Sequence, residues 1–128
     1  MKSRILMFVP ILIVFGIIFM GCGSSVTYQD IFDEYSSKIR EAAPTLVEEF
    51  NTEAAALNGD VTKLAELSNK KISSLAEIST EGTKKMAELQ LKNGDEYSTY
   101  EEWAVKLTSV YEEEAKKITD AYMALAAG

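Results

Sequence analysis

Apolar residues along this chain recur every three or four positions, the spacing of one face of an α-helix. The first stripe is Tyr28, Ile31, Phe32, Tyr35, Ile39, Ala42, Leu46, Phe50, Ala54 and Leu57. The second is Val61, Leu64, Ala65, Ser68, Ile72, Leu75, Ala76, Ser79, Gly82, Met86 and Leu89. The third is Tyr100, Trp103, Ala104, Leu107, Val110, Tyr111, Ala115, Ile118, Tyr122 and Leu125. Polar signals punctuate these runs. Thr27-Tyr28-Gln29-Asp30 fits a capping box that opens the first helix. Asn58-Gly59 suits a left-handed helix end, and Asp60 suits the cap of the second helix. Lys92 to Tyr97 is the clearest loop. Neither flank of its Asn93-Gly94 pair alternates with period two, so a helix end is expected there rather than a hairpin. Ser98-Thr99-Tyr100-Glu101 fits a second capping box.

Two positions qualify this picture. Pro44 lies inside the first stripe and removes the bond to the Arg40 carbonyl, which predicts a kink or a short break. The stripe keeps its phase across the proline, favouring the kink. Ser79-Thr80-Glu81-Gly82 offers an alternative division of the second helix, since glycine costs about 1 kcal/mol relative to alanine in a helix. The expected fold is all-α: an antiparallel three-helix bundle over residues 27–128 with a kinked first helix. Its helices are about 30 residues, or about 45 Å, long. The chain end from Ala124 should fray.

One internal repeat is present. Leu64-Ala65-Glu66-Leu67, Leu75-Ala76-Glu77-Ile78 and Met86-Ala87-Glu88-Leu89 follow at intervals of 11. Eleven residues over three turns, 3.67 per turn, is close to a relaxed helix, so a partner packs nearly straight. The seam serves either the bundle's own core or self-association into a homo-oligomer.

The stretch before the helices is of another kind. Lys2 and Arg4 precede an uncharged apolar run from Ile5 to Met20, followed by Gly21-Cys22-Gly23. A basic start, an apolar segment and small residues make a secretion signal. Phe19-Met20-Gly21-Cys22 resembles the lipobox of bacterial lipoproteins. That resemblance implies cleavage between Gly21 and Cys22 and acylation of Cys22. Residues 1–21 are then a signal peptide and residues 22–26 a flexible tether. Phe19 and Met20 depart from the leucine and the smaller residue commoner at their positions. Two or three acyl chains on one cysteine give the stable attachment that a single chain does not.

The residues also admit two other readings. An uncleaved apolar run of 16 residues, or 18 with Gly21 and Cys22, sits at the lower limit of about 17–25 for a membrane span. An ordinary signal peptide would instead leave Cys22 as a free thiol, a liability in an oxidising compartment. The first two readings share one outcome. The basic end stays in the cytoplasm, and the helices face outward from a cell membrane.

Without residues 1–21 the chain has 107 residues, enough for one small core. No cysteine pair exists, so packing alone must hold it. The full chain has 13 basic and 20 acidic residues, net −7. Lys2 and Arg4 leave with the signal, taking the remainder to −9. Such acidity argues against nucleic-acid binding and against a domain lying flat on anionic lipid. The absence of histidine removes the commonest general base and transition-metal ligand. No phosphate-binding glycine loop is present. No enzyme, metal site or cofactor is expected.

Tyr97, Tyr100, Trp103 and Tyr111 gather around the second loop in sequence. Tyr97, Tyr100 and Trp103 are the candidate partner surface, because Tyr and Trp combine large area with a polar tip. Tyr100, Trp103 and Tyr111 also lie on the core stripe, whereas Tyr97 does not. Glu48-Glu49, Glu101-Glu102 and Glu112-Glu113-Glu114 are expected on solvated faces, with Glu112–Lys116 and Glu113–Lys117 as i,i+4 pairs. The expectation for function is a lipid-anchored, non-catalytic module that binds a protein or peptide at the cell envelope. The alternative is a self-associating structural component.

Overall fold

The computed structural model describes residues 25–127. The proposed signal peptide, the Gly21–Cys22 cleavage point and the acylation site at Cys22 lie outside those residues. The described residues form three helices, α1 (Tyr28–Ala54), α2 (Val61–Asn93) and α3 (Tyr97–Ala126), with a single 3₁₀ turn among them at Ala55–Leu57. Each helix packs on the other two, giving the three-helix bundle that the stripes predict. Cross-bundle bonds trace the antiparallel course of α1 and α2. Tyr28 bonds Asp95 just past the end of α2, Tyr35 bonds Glu81, and Glu49 pairs with Lys71. As one partner climbs the chain, the other descends.

The helix ends follow local chemistry. The Thr27 hydroxyl accepts from the Asp30 N–H at 3.1 Å while the Thr27 N–H donates to Asp30 Oδ2 at 2.9 Å, so the capping box is complete. Asn58 and Gly59 take φ of 50° and 76°, the left-handed turn expected of that pair. Asp60 Oδ1 accepts from the Lys63 N–H at 3.2 Å. Gly94, at φ 69°, ends α2. The second capping box does not form. α3 begins at Tyr97 with Glu96 in the capping position and no side-chain cap bond, while the Ser98 hydroxyl turns back to Glu96 Oε2 at 3.5 Å. The turn after Gly94 is too short to hold Ser98 outside the helix.

Helix α1 runs through Pro44 without a break. Both Pro44 and Arg40 are exposed, so the carbonyl that loses its N–H partner can be hydrated. Helix α2 is likewise continuous across Ser79–Gly82. Gly82 stays helical because the bundle needs it small. A Cβ built there would lie 2.5 Å from Leu107 Cδ2, 2.8 Å from Tyr35 Cγ and 3.0 Å from Tyr35 Cβ. Both other helices approach α2 closely at this point, and the gain in contact outweighs the propensity cost. At the other end of the chain, α3 holds its helical form to Ala126, further than the fraying expected from Ala124.

The 11-residue repeat is a repeat of burial. Residues 64–74 and 75–85 show the same sequence of buried, half-buried and exposed positions, residue for residue. Leu64, Leu75 and Met86 are all buried in the chain's own core. The seam that suggested self-association is thereby occupied internally.

The larger core cluster includes Ile31, Tyr35, Ile39, Leu75, Met86, Leu107 and Ile118. A smaller one, Phe50, Ala54 and Leu64, fills the end near the α1–α2 turn. The stripes err mainly where polar side chains are buried. Ser36, Lys71 and Glu114 are inside, whereas Val61 and Leu125 are exposed. Glu114, only 5 % exposed, is thus no part of a solvated acidic face. Its partner is Lys117 at 2.8 Å, and Lys116 pairs with Asp120 at 3.1 Å, replacing the two predicted pairs with Glu112 and Glu113. Ser36 satisfies its hydroxyl on the Phe32 carbonyl one turn back.

Candidate contact surface

The start of α1 and the α2–α3 turn lie together at one end of the bundle. The Tyr28 hydroxyl donates to Asp95 Oδ2 at 2.9 Å, joining residues 67 positions apart. Asn93 Nδ2 donates to the same oxygen at 3.3 Å, and Gln90 Nε2 donates to the Asp95 carbonyl at 3.4 Å. Asp95 therefore ties the short turn both to α2 and to the first residue of α1. Burial, the Asp95 hydrogen bond and the Asp95 charge push the Tyr28 phenol up to about 12 from 10.0.

The aromatic residues expected around this turn divide into two roles. Trp103 packs inward, stacked on Tyr28 with ring centroids 6.4 Å apart and tilted against Phe32 at 5.9 Å. Lys106 Nζ lies 4.3 Å from the Trp103 ring centroid, a cation–π contact. Trp103 thus joins α1 to α3 and is half-buried. Tyr100 and Tyr111 are also half-buried against the main core. Tyr97 differs: it is 63 % exposed, touching Tyr100 with centroids 5.5 Å apart. Of the three candidate surface residues, only Tyr97 presents most of its side chain to solvent.

Two further apolar residues at this end stand out. Leu91, in the last turn of α2, is 81 % exposed, and Val26, just ahead of the α1 cap, is 58 % exposed. Leu91 falls off the second stripe, and that off-stripe position was the available sequence signal. The opposite end carries its own exposed residues, Val61, Met123 and Leu125, around the smaller core cluster.

Other polar groupings have structural partners. Lys71, buried on α2, reaches Glu53 at 2.5 Å and Glu49 at 3.2 Å on α1. Burial alone would lower its pKa, but the two carboxylates outweigh that and raise it. Tyr35 donates to Glu81 at 3.1 Å, and burial with that bond raises its phenol further than that of Tyr28. Among the described residues no three His, Cys, Asp or Glu side chains converge as a metal site. No helix among them is long and apolar enough to cross a membrane. No family model matches the chain, and no curated protein or solved structure shows significant similarity to it.

Proposed function

We propose that this chain is a lipid-anchored, extracytoplasmic lipoprotein whose helical bundle is a non-catalytic module for binding a protein or peptide at the cell envelope. The observation that carries this reading is the adjacency of the lipobox-like Phe19–Cys22 to a complete helix cap at Thr27. Only four residues separate the expected lipid attachment from the first residue held by the fold. A bundle stabilised by packing, with its polar groups paired internally and a net negative charge, suits recognition rather than turnover. The 11-residue seam lies in the core, so nothing in the packing favours the self-associating alternative.

The anchor is tested by intact mass. Protein purified from membranes should have the mass of residues 22–128 plus acyl groups, while Cys22→Ala should lose the acyl mass. An unmodified full-length mass would replace the lipoprotein with a membrane span. The binding role is tested by crosslinking in cells and recovery from detergent extract. A defined partner captured by wild type and lost with Cys22→Ala supports it; no partner, with no phenotype on deletion, refutes it.

A further inference from the structure

We propose that the end of the bundle formed by the start of α1 and the α2–α3 turn rests on the lipid headgroup layer, with Tyr97 as the principal contacting side chain. The inference rests on membrane anchoring at or next to Cys22 and adds to it a defined lipid-facing surface. The first argument is reach. From Cys22 to Thr27 the chain spans at most about 18 Å even when fully extended. The capped end of α1 must therefore stay near the bilayer surface, and the Tyr28–Asp95 bond holds the α2–α3 turn at the same end. The far end of the 33-residue α2 lies about 50 Å away.

The second argument is side-chain chemistry. Among the described residues, Tyr97, Leu91 and Val26 are the large apolar side chains exposed at this end. A tyrosine with an apolar ring and a polar tip is the type of residue that settles between headgroups and acyl chains. Charge narrows the lipid further. Asp30, Asp33, Asp95 and Glu96 cluster in sequence around this end, against Lys92 alone in the last turn of α2. An anionic surface would repel them, so the fitting partner is a zwitterionic headgroup.

The test uses the acylated full chain in phosphatidylcholine vesicles containing a nitroxide-headgroup phosphatidylcholine as quencher. A fluorophore on Ser98→Cys reports this end, and one on Met123→Cys reports a site about 38 Å along α3. Both positions are exposed, and acylation leaves Cys22 unavailable to the label. The expected result is quenching at position 98, none at 123, and loss of quenching at 98 in Tyr97→Ser/Leu91→Ser. Equal, water-like emission at both positions in protein that floats with the vesicles overturns the inference and leaves the anchor intact. Protection at 98 without lipid quenching, as a protein seated there would give, overturns it too. Failure to float overturns the anchor and the inference together.

Discussion

Gly82 shows most directly how one atom governs this fold. Alanine is the better helix former by about 1 kcal/mol, so an exposed glycine replaced by alanine would stabilise α2. Here the added Cβ meets the root of the Tyr35 ring and the fully buried Leu107. Leu107 Cδ2 could turn aside, but Tyr35 Cβ is fixed by its backbone, and Tyr35 Cγ moves only by swinging the whole buried ring. Overpacking of this kind costs about 1–3 kcal/mol. Gly82→Ala should therefore destabilise residues 22–128 by about 1 kcal/mol net, read as a lower urea midpoint at unchanged slope. A raised midpoint would mean that the helices do not meet here.

Lys71 gives the complementary case. Its ammonium is paired with Glu53 and Glu49, but both carboxylates are nearly half exposed, so much of the attraction is screened. Its apolar stem is buried regardless. Lys71→Met, which keeps the stem's volume, should stay within about 1 kcal/mol of wild type, whereas Lys71→Ala should lose on the order of 2 kcal/mol. Equal losses would assign the stability to the charge pair rather than to packing. Neither Lys71 nor Glu114 was legible as buried, because a stripe read by polarity assigns every charged side chain to water.

At the scale of the helix, most of the chain was legible. Three stripes predicted three helices, and Thr27, Asn58-Gly59, Asp60 and Gly94 marked their ends as local chemistry demands. The failures have particular causes. Ser98-Thr99-Tyr100-Glu101 has the composition of a capping box, but Gly94 and Asp95 reverse the chain so tightly that α3 has already begun at Tyr97. Val61 and Leu125 sit on their stripes at helix ends, where a neighbouring helix no longer covers them. Of the contact surface, the sequence singled out Tyr97 by its off-stripe position. It could not show which end of α1 the loop meets, because that depends on the Tyr28–Asp95 pairing across 67 residues. Removing this bond should loosen one end only. Tyr28→Phe is expected to cost about 1 kcal/mol, with faster amide exchange confined to the first turn of α1 and the α2–α3 turn. Uniform acceleration throughout the bundle would contradict so local a role.

For the molecule as a whole, three groups place its pH sensitivity on the alkaline side. Tyr28 and Tyr35 are held neutral in the fold, and Lys71 is held charged. Each has a raised pKa. Their contributions are complete below pH about 10, where the unfolded tyrosines begin to ionise, and are lost as the pH climbs through the folded values. For Tyr28 that window runs from 10.0 to about 12. The urea midpoint should therefore fall between neutral pH and ~pH 11, and Tyr28→Phe should flatten part of that fall. A wild-type midpoint constant over this range would show that these groups are not coupled to folding. Cohesion also varies along the long axis. The smaller cluster of Phe50, Ala54 and Leu64 should open before the main core around Ile39, Leu75 and Leu107, giving faster amide exchange near the α1–α2 turn.

The duplicated burial pattern of α2 has a cost in uniqueness. A helix whose inner face repeats after 11 residues can slide three turns along its neighbours and still set Leu64, Leu75 and Met86, or Ser68 and Ser79, into one another's places. What distinguishes the two settings is the pair of equivalent positions filled least alike, Lys71 and Gly82. In the native setting the lysine reaches two glutamates, and the glycine admits Tyr35 and Leu107. Slid one period one way, the lysine would occupy the crevice made for a hydrogen atom; slid the other way, the two glutamates would face a residue with no side chain. The bundle's alignment is thus enforced less by its apolar residues, which are nearly interchangeable, than by one charge and one vacancy placed a period apart.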